Sequence, residues 1–147
     1  MSDLRAVALT PHLFVRNTDE AVRFYVRAFG AAELFRNTLP DGRVMFVELA
    51  VGQGRMLVSE ETPSLNALAP PTVGGSPVML MVEVDDADEL ARRAVEAGAT
   101  IDMPVEEQFW GERYGVLVDP FGHRWAISTV REQLTPEDIA SRTPPDI

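Results

Sequence analysis

The chain is written twice. A shift of 69 positions lays Asp41-Gly42 over Trp110-Gly111, Val47 over Val116, Leu49 over Val118 and Arg55 over Arg124. The same shift carries Val58 onto Ile127 and Ser59 onto Ser128. Upstream the shift becomes 68, and Phe29-Gly30-Ala31-Ala32 lands on Ala97-Gly98-Ala99-Thr100. One residue gained or lost in a loop accounts for the change. A repeat of this length predicts two supersecondary modules that face each other, with a site between them.

The grammar inside each copy is β-α-β-β-β. Leu9 to Val15 alternates as a strand, with Leu13 and Val15 on one face and His12 and Phe14 on the other. Asn17-Thr18-Asp19-Glu20 supplies N-cap candidates, Val22, Tyr25, Val26 and Phe29 recur at helical spacing, and Gly30 ends the helix. Strands follow at Ala32–Arg36, Arg43–Val51 and Arg55–Ser59, with Pro40-Asp41-Gly42 as a turn. The second copy has strands at Val78–Val84, Thr100–Met103, Arg113–Val118 and Arg124–Thr129. Its helix opens at Asp85-Asp86-Ala87-Asp88 and runs to Gly98. The fold class is therefore α+β, one domain of 147 residues built from two tandem βαβββ modules. Module one spans 8–60 and module two 78–130. Residues 61–77, with four prolines and two glycines, form the linker. In the tail, 131–147, Thr135-Pro136-Glu137-Asp138 starts a short helix that Pro144-Pro145 ends.

Composition narrows the function. There is no cysteine, so disulfides, thiolate nucleophiles and Cys–zinc sites are excluded. All 13 basic residues are arginine, which removes lysine Schiff-base chemistry. A net charge of −10 argues against binding a phosphate backbone and reads as a solubility device. No apolar run reaches the roughly 18 residues of a membrane span, and residues 1–10 show no secretory signal. The expectation is a cytoplasmic protein with no nucleic-acid or membrane partner.

Paired βαβββ units, Phe24-Tyr25 and Phe29-Gly30 in the first helix, and Asp119-Pro120-Phe121-Gly122-His123 before the last strand resemble the vicinal oxygen chelate superfamily. Within it, Phe109-Trp110-Gly111-Glu112-Arg113-Tyr114-Gly115 and the Asp41–Arg43 turn are similar to the PhnB-like glyoxalase/bleomycin-resistance group. The resemblance covers residues 8–130. It implies two half-barrel modules, a homodimer, and a chemistry that in many relatives uses a divalent metal. That metal is held by residues from the first and last strand of each module. By strand register those places fall on Thr10, Leu57, Met79 and Ala126 here, none of which offers the imidazole or carboxylate such metals need. A displaced His12–Glu48–Glu83 set is the remaining route to a metal, and a divalent cation is the disfavoured reading. His123, after Gly122, reads as a turn or surface residue.

Strand parity then sorts the faces. Leu13, Val15, Met56, Val58, Leu80, Val82, Val84, Trp125 and Ile127 pack beneath the helices. The opposite face receives Thr10, His12, Phe14, Phe46, Glu48, Leu57, Ser59, Met79, Met81, Glu83, Ala126 and Ser128. Large apolar surface with a few polar groups suits an organic ligand, and methionines adapt to a flat guest. Trp110, Arg113 and Tyr114 beside Gly111 add stacking area and a cation, the materials of a binding rim. The site residues expected to touch ligand are thus His12, Phe14, Phe46, Glu48, Leu57, Ser59, Met79, Met81, Trp110, Arg113 and Tyr114.

Two functions compete. One is metal-independent binding of an apolar or aromatic small molecule, for sequestration or carriage of the bleomycin-resistance type, with no cofactor. The other is a glyoxalase-type lyase, isomerase or dioxygenase using a displaced metal, or His12 or Glu48 as acid–base. A nucleophilic serine is unsupported, because Ser59 and Ser128 lack a nucleophile-elbow pattern. An interaction module that receives a protein segment is the third reading.

Overall fold

The computed structural model describes residues 4–147. The chain divides into two compact units, 4–69 and 70–147 among the described residues, with the boundary inside the proline-rich linker. Module one contains β1 (His12–Val15), α1 (Thr18–Phe29), β2 (Ala32–Thr38), β3 (Val44–Val51) and β4 (Gly54–Glu60). Its sheet has the order β1-β4-β3-β2, with β1 parallel to β4 and the other pairs antiparallel. Module two holds a short helical turn α2 (Pro70–Val73), then β5 (Met79–Glu83), α3 (Ala87–Glu96), β6 (Thr100–Glu107), β7 (Glu112–Val118) and β8 (Arg124–Val130). Its sheet runs β5-β8-β7-β6 with the same pattern of directions. The two βαβββ modules expected from the repeat are both present.

Each helix begins where its cap dictates. The Asn17 side chain accepts from the Glu20 amide, and Asp86 accepts from Glu89, each at 3.1 Å. Such caps satisfy one of the amides that have no partner within the first turn. Gly30 ends α1 in the left-handed region at φ 67°, where its amide and that of Ala31 return to Val26 and Tyr25 carbonyls. One face of α1 is buried through Ala21, Val22, Phe24, Tyr25 and Ala28, whereas Val26 is exposed. Phe24 takes the core place expected for Val26, because the buried stripe is wide enough to hold adjacent residues 24 and 25.

Strand pairing corrects the register of the repeat. Glu48 lies opposite Leu57, and Val116 lies opposite Ala126. Leu57 and Ala126 are 69 positions apart, so Glu48 corresponds to Val116 at 68. Val47 therefore matches Gly115, and Leu49 matches Leu117. A one-residue slip would have put Val116, which faces away from α3, over the core residue Val47, and a strand cannot tolerate that exchange. The missing residue returns between β7 and β8: five residues separate the paired Val118 and Arg124, against four between the equivalent pair Ala50 and Arg55.

The helix-covered faces form the cores. Leu13, Val15, Val47, Leu49, Met56 and Val58 are buried in module one, and Leu117, Trp125 and Ile127 in module two. Leu80, Val82 and Val84 are only partly buried. Strand β1 starts at His12 rather than Leu9; Thr10 precedes it, and Leu9 is 94% exposed. Strand β6 is longer than Thr100–Met103, continuing through Pro104 to Glu107 with irregular pairing on either side of Met103. Proline is accommodated because β6 is an edge strand. The linker contains a 3-10 turn at Pro63–Leu65 and α2.

The tail is anchored at its start, while its helix buries no residue. Helix α4 (Pro136–Arg142) starts at a Thr135–Asp138 capping box, and the Arg131 and Glu132 amides donate to the Gly111 carbonyl. A β-carbon on Gly111 would lie 2.8 Å from the Glu132 carbonyl oxygen, so the tail seats only against glycine. No helix among the described residues is long and apolar enough to cross a membrane.

Candidate functional site

The open face of module one is the surface opposite α1. Cross-strand pairing places His12 beside Leu57 and Leu57 beside Glu48, with Phe35 beyond Glu48 on β2. One row therefore crosses all four strands. Two aromatic pairs bracket it. His12 and Phe14 stack at 4.4 Å on β1, and Phe35 and Phe46 lie 5.7 Å apart on β2 and β3. Strands are spaced about 4.8 Å apart, so Leu57 floors a gap about 10 Å wide between the β1 and β3 backbones.

The polar groups of this face are already engaged. His12 Nε2 and Ser59 Oγ are hydrogen-bonded at 2.7 Å. Partial desolvation lowers the His12 pKa from 6.5, which favours the neutral ring near pH 7. Glu48 accepts from Arg55 Nη1 at 3.0 Å. Arg55 was visible in the repeat but was not assigned to this face; its parity with Leu57 and Ser59 was the available signal. Phe35 was missed because the β2 register shifts beside it, which hides the alternation.

Module two places Met79, Met81 and Glu83 on the face opposite α3, with Arg124, Ala126, Ser128, Tyr114 and Val116 on the neighbouring strands. Met81 is 64% exposed, while Ala126 and Ser128 are buried. Ser128 corresponds to Ser59, but its repeat neighbour is Met81 in place of His12, and its hydroxyl has no hydrogen-bond partner. Trp110 packs edge-on against Tyr114 at 5.2 Å and against Phe109 at 5.0 Å, and its indole N–H donates to the Glu112 carboxylate. Arg113 points to the other side of β7. It forks onto Asp88 of α3 at 2.8 and 2.9 Å and donates to the Val105 carbonyl; the Asp88 carboxylate, with a smaller contribution from Glu107, raises its pKa.

The donor set does not fit the metal that the fold implies. Leu57 and Ala126 supply no lone pair, Thr10 lies outside β1, and Glu48 is tied to Arg55. Among the described residues no group of three His, Asp or Glu side chains is arranged to hold a cation.

The Asp-Pro-Phe-Gly-His segment is a structural turn. Buried Asp119 accepts from the Phe121 and His123 amides at 2.9 and 3.0 Å and from the Trp125 indole at 2.9 Å. Gly122, at φ 92°, lets the turn close against Pro70; a β-carbon there would come within 2.6 Å of Pro70 Cβ.

Known proteins share the sequence or the architecture of this chain. The uncharacterized protein Mb0911c of Mycobacterium bovis is 37% identical over 135 residues, covering 90% of this chain and 89% of its own length. The crystal structure of TioX from Micromonospora sp. ML1 superposes with a TM-score of 0.65 at 27% identity, covering 87% of this chain and 99% of that one. The Arabidopsis thaliana At5g48480 product gives 0.66 at 28%, covering 84% and 99%. The model of the Glyoxalase/Bleomycin resistance protein/Dioxygenase superfamily matches residues 6–127. The chain belongs to that superfamily.

Proposed function

We propose that this chain binds an apolar or aromatic small molecule without a metal, sequestering or carrying it, as a homodimer of the PhnB-like group. The observation that carries the reading is the open face of module one. Its His12–Phe14 stack and Phe35–Phe46 pair bracket the apolar Leu57 floor, while His12 and Glu48 already bond Ser59 and Arg55. A flat ring gains stacking area there without having to break those side-chain bonds. Trp110 and Tyr114 supply comparable aromatic surface in module two.

The test is a titration with 2-naphthol followed by backbone amide shifts. The expected footprint covers His12, Phe14, Phe46, Leu57 and Ser59 with submillimolar affinity, and F14A weakens it about tenfold. No saturable shift below the millimolar range on either open face removes the proposal.

One observation favours an acid–base reading as the alternative. The neutral His12 imidazole beside Ser59 is equipped to accept a proton in a glyoxalase-type isomerisation. Turnover of an α-hydroxycarbonyl compound that disappears in H12Q would establish it over simple binding.

A further inference from the structure

A concavity lies wholly within module two. It is a broad, solvent-open depression of about 540 Å³ lined by Pro70, Pro71, Gly74, Val118, Gly122 and Arg124. That volume is in the range of small-molecule sites. One edge of it is fixed by close packing of Pro70 on Gly122. The Pro70 wall sits where any side chain at position 122 would collide with it, and Gly122 takes a backbone conformation that suits glycine. Proline rings give this wall a fixed apolar surface with no amide donors. Ser76, which also borders it, already bonds the Val78 carbonyl and amide. Polar recognition is thereby left to Arg124.

Arg124 donates once, from Nη2 to Asp102 at 2.8 Å, and its side chain is partly exposed. A guanidinium has five N–H donors, so most remain to be used. The neighbouring carboxylate balances its charge. An anion would gain from Arg124 and lose to Asp102, whereas a neutral carbonyl oxygen accepts from the guanidinium without that repulsion.

We propose that this pocket binds a neutral one- or two-ring organic molecule through a carbonyl acceptor on Arg124. The site is independent of the module-one surface and of the reading built on it.

The experiment titrates 2-naphthamide and, separately, 2-naphthoate into the full chain, with amide shifts and calorimetry as readouts. The amide is expected to shift Val118, Gly122 and Arg124 saturably and to bind about tenfold tighter than the carboxylate. R124Q should weaken the amide about tenfold, while R55Q leaves it unchanged and circular dichroism shows both variants folded. D102N, which removes the repulsion, should bring the carboxylate up to the amide's affinity. The proposal is overturned by equal or tighter binding of the carboxylate to the unaltered protein, by an R124Q variant that binds normally, or by shifts confined to His12–Ser59. That last footprint would still support the module-one site.

Discussion

His12 Nε2 and Ser59 Oγ stand 2.7 Å apart across parallel strands β1 and β4, and the repeat has kept only half of that pair. Module two retains the serine as Ser128, opposite Glu83 and Tyr114, while Met81 takes the histidine's place. The two open faces have diverged. Module one sets its aromatic surface around a neutral imidazole, whereas module two combines its Trp110–Tyr114 pair with exposed methionines.

The imidazole sets a pH dependence. In the folded chain its pKa lies below 6.5 because its ring is partly desolvated; in the unfolded chain it has its ordinary value. As pH falls from 6.5 the unfolded state takes up its proton first, so stability falls with pH through the depressed folded pKa. Urea midpoints between pH 5 and 8 should therefore drop more steeply on the acid side for the wild type than for H12Q. Parallel curves would show that His12 contributes nothing.

Asp119 should be the most damaging carboxylate to remove. It satisfies two amides and the Trp125 indole in a buried turn. D119A leaves three donors unpaired, for an expected loss of about 3 kcal/mol in denaturant unfolding. A loss under half that size would mean that water replaces the carboxylate.

Gly115 is fixed by close approach. A β-carbon there would meet Val105 Cγ2 at 2.8 Å and both the Met103 oxygen and the Val105 nitrogen at 2.9 Å. Two of these are backbone atoms and cannot step aside. G115A should cost about 1–3 kcal/mol and disturb the β6–β7 pairing, read as faster amide exchange at Val105.

Arg113 holds helix to sheet. R113L should lower the denaturation midpoint modestly and leave 2-naphthol binding intact, because the guanidinium is spent on Asp88 and Val105. The fork also holds the Asp88 carboxyl below its usual range, so its contribution is present above pH 3.8 and is lost as pH falls through the depressed value. Loss of binding in a folded R113L variant would return Arg113 to the ligand surface.

The modules, their helices and the helix-covered residues were legible in the sequence because burial imposes a period that alternation and caps reveal. Leu13, Val15, Met56, Val58, Trp125 and Ile127 all lie where parity put them. The site was legible only in part. Parity on β4 fixes the face of Leu57 and Ser59, but no local pattern says that Glu48 is bonded to Arg55 or that Arg113 reaches Asp88. Those pairs are 7 and 25 residues apart and form only when strands and helix are assembled. The repeat itself misled by one residue at Val47, since apolar residues on adjacent positions align equally well until pairing chooses a face.

The most direct test measures 2-naphthol binding by calorimetry on protein stripped with chelator, before and after adding Zn²⁺, Mn²⁺ or Ni²⁺. The account predicts the same affinity in every sample, with a loss of about tenfold in F14A. Binding that appears only with metal, or stoichiometric metal that is lost in H12A, would contradict it.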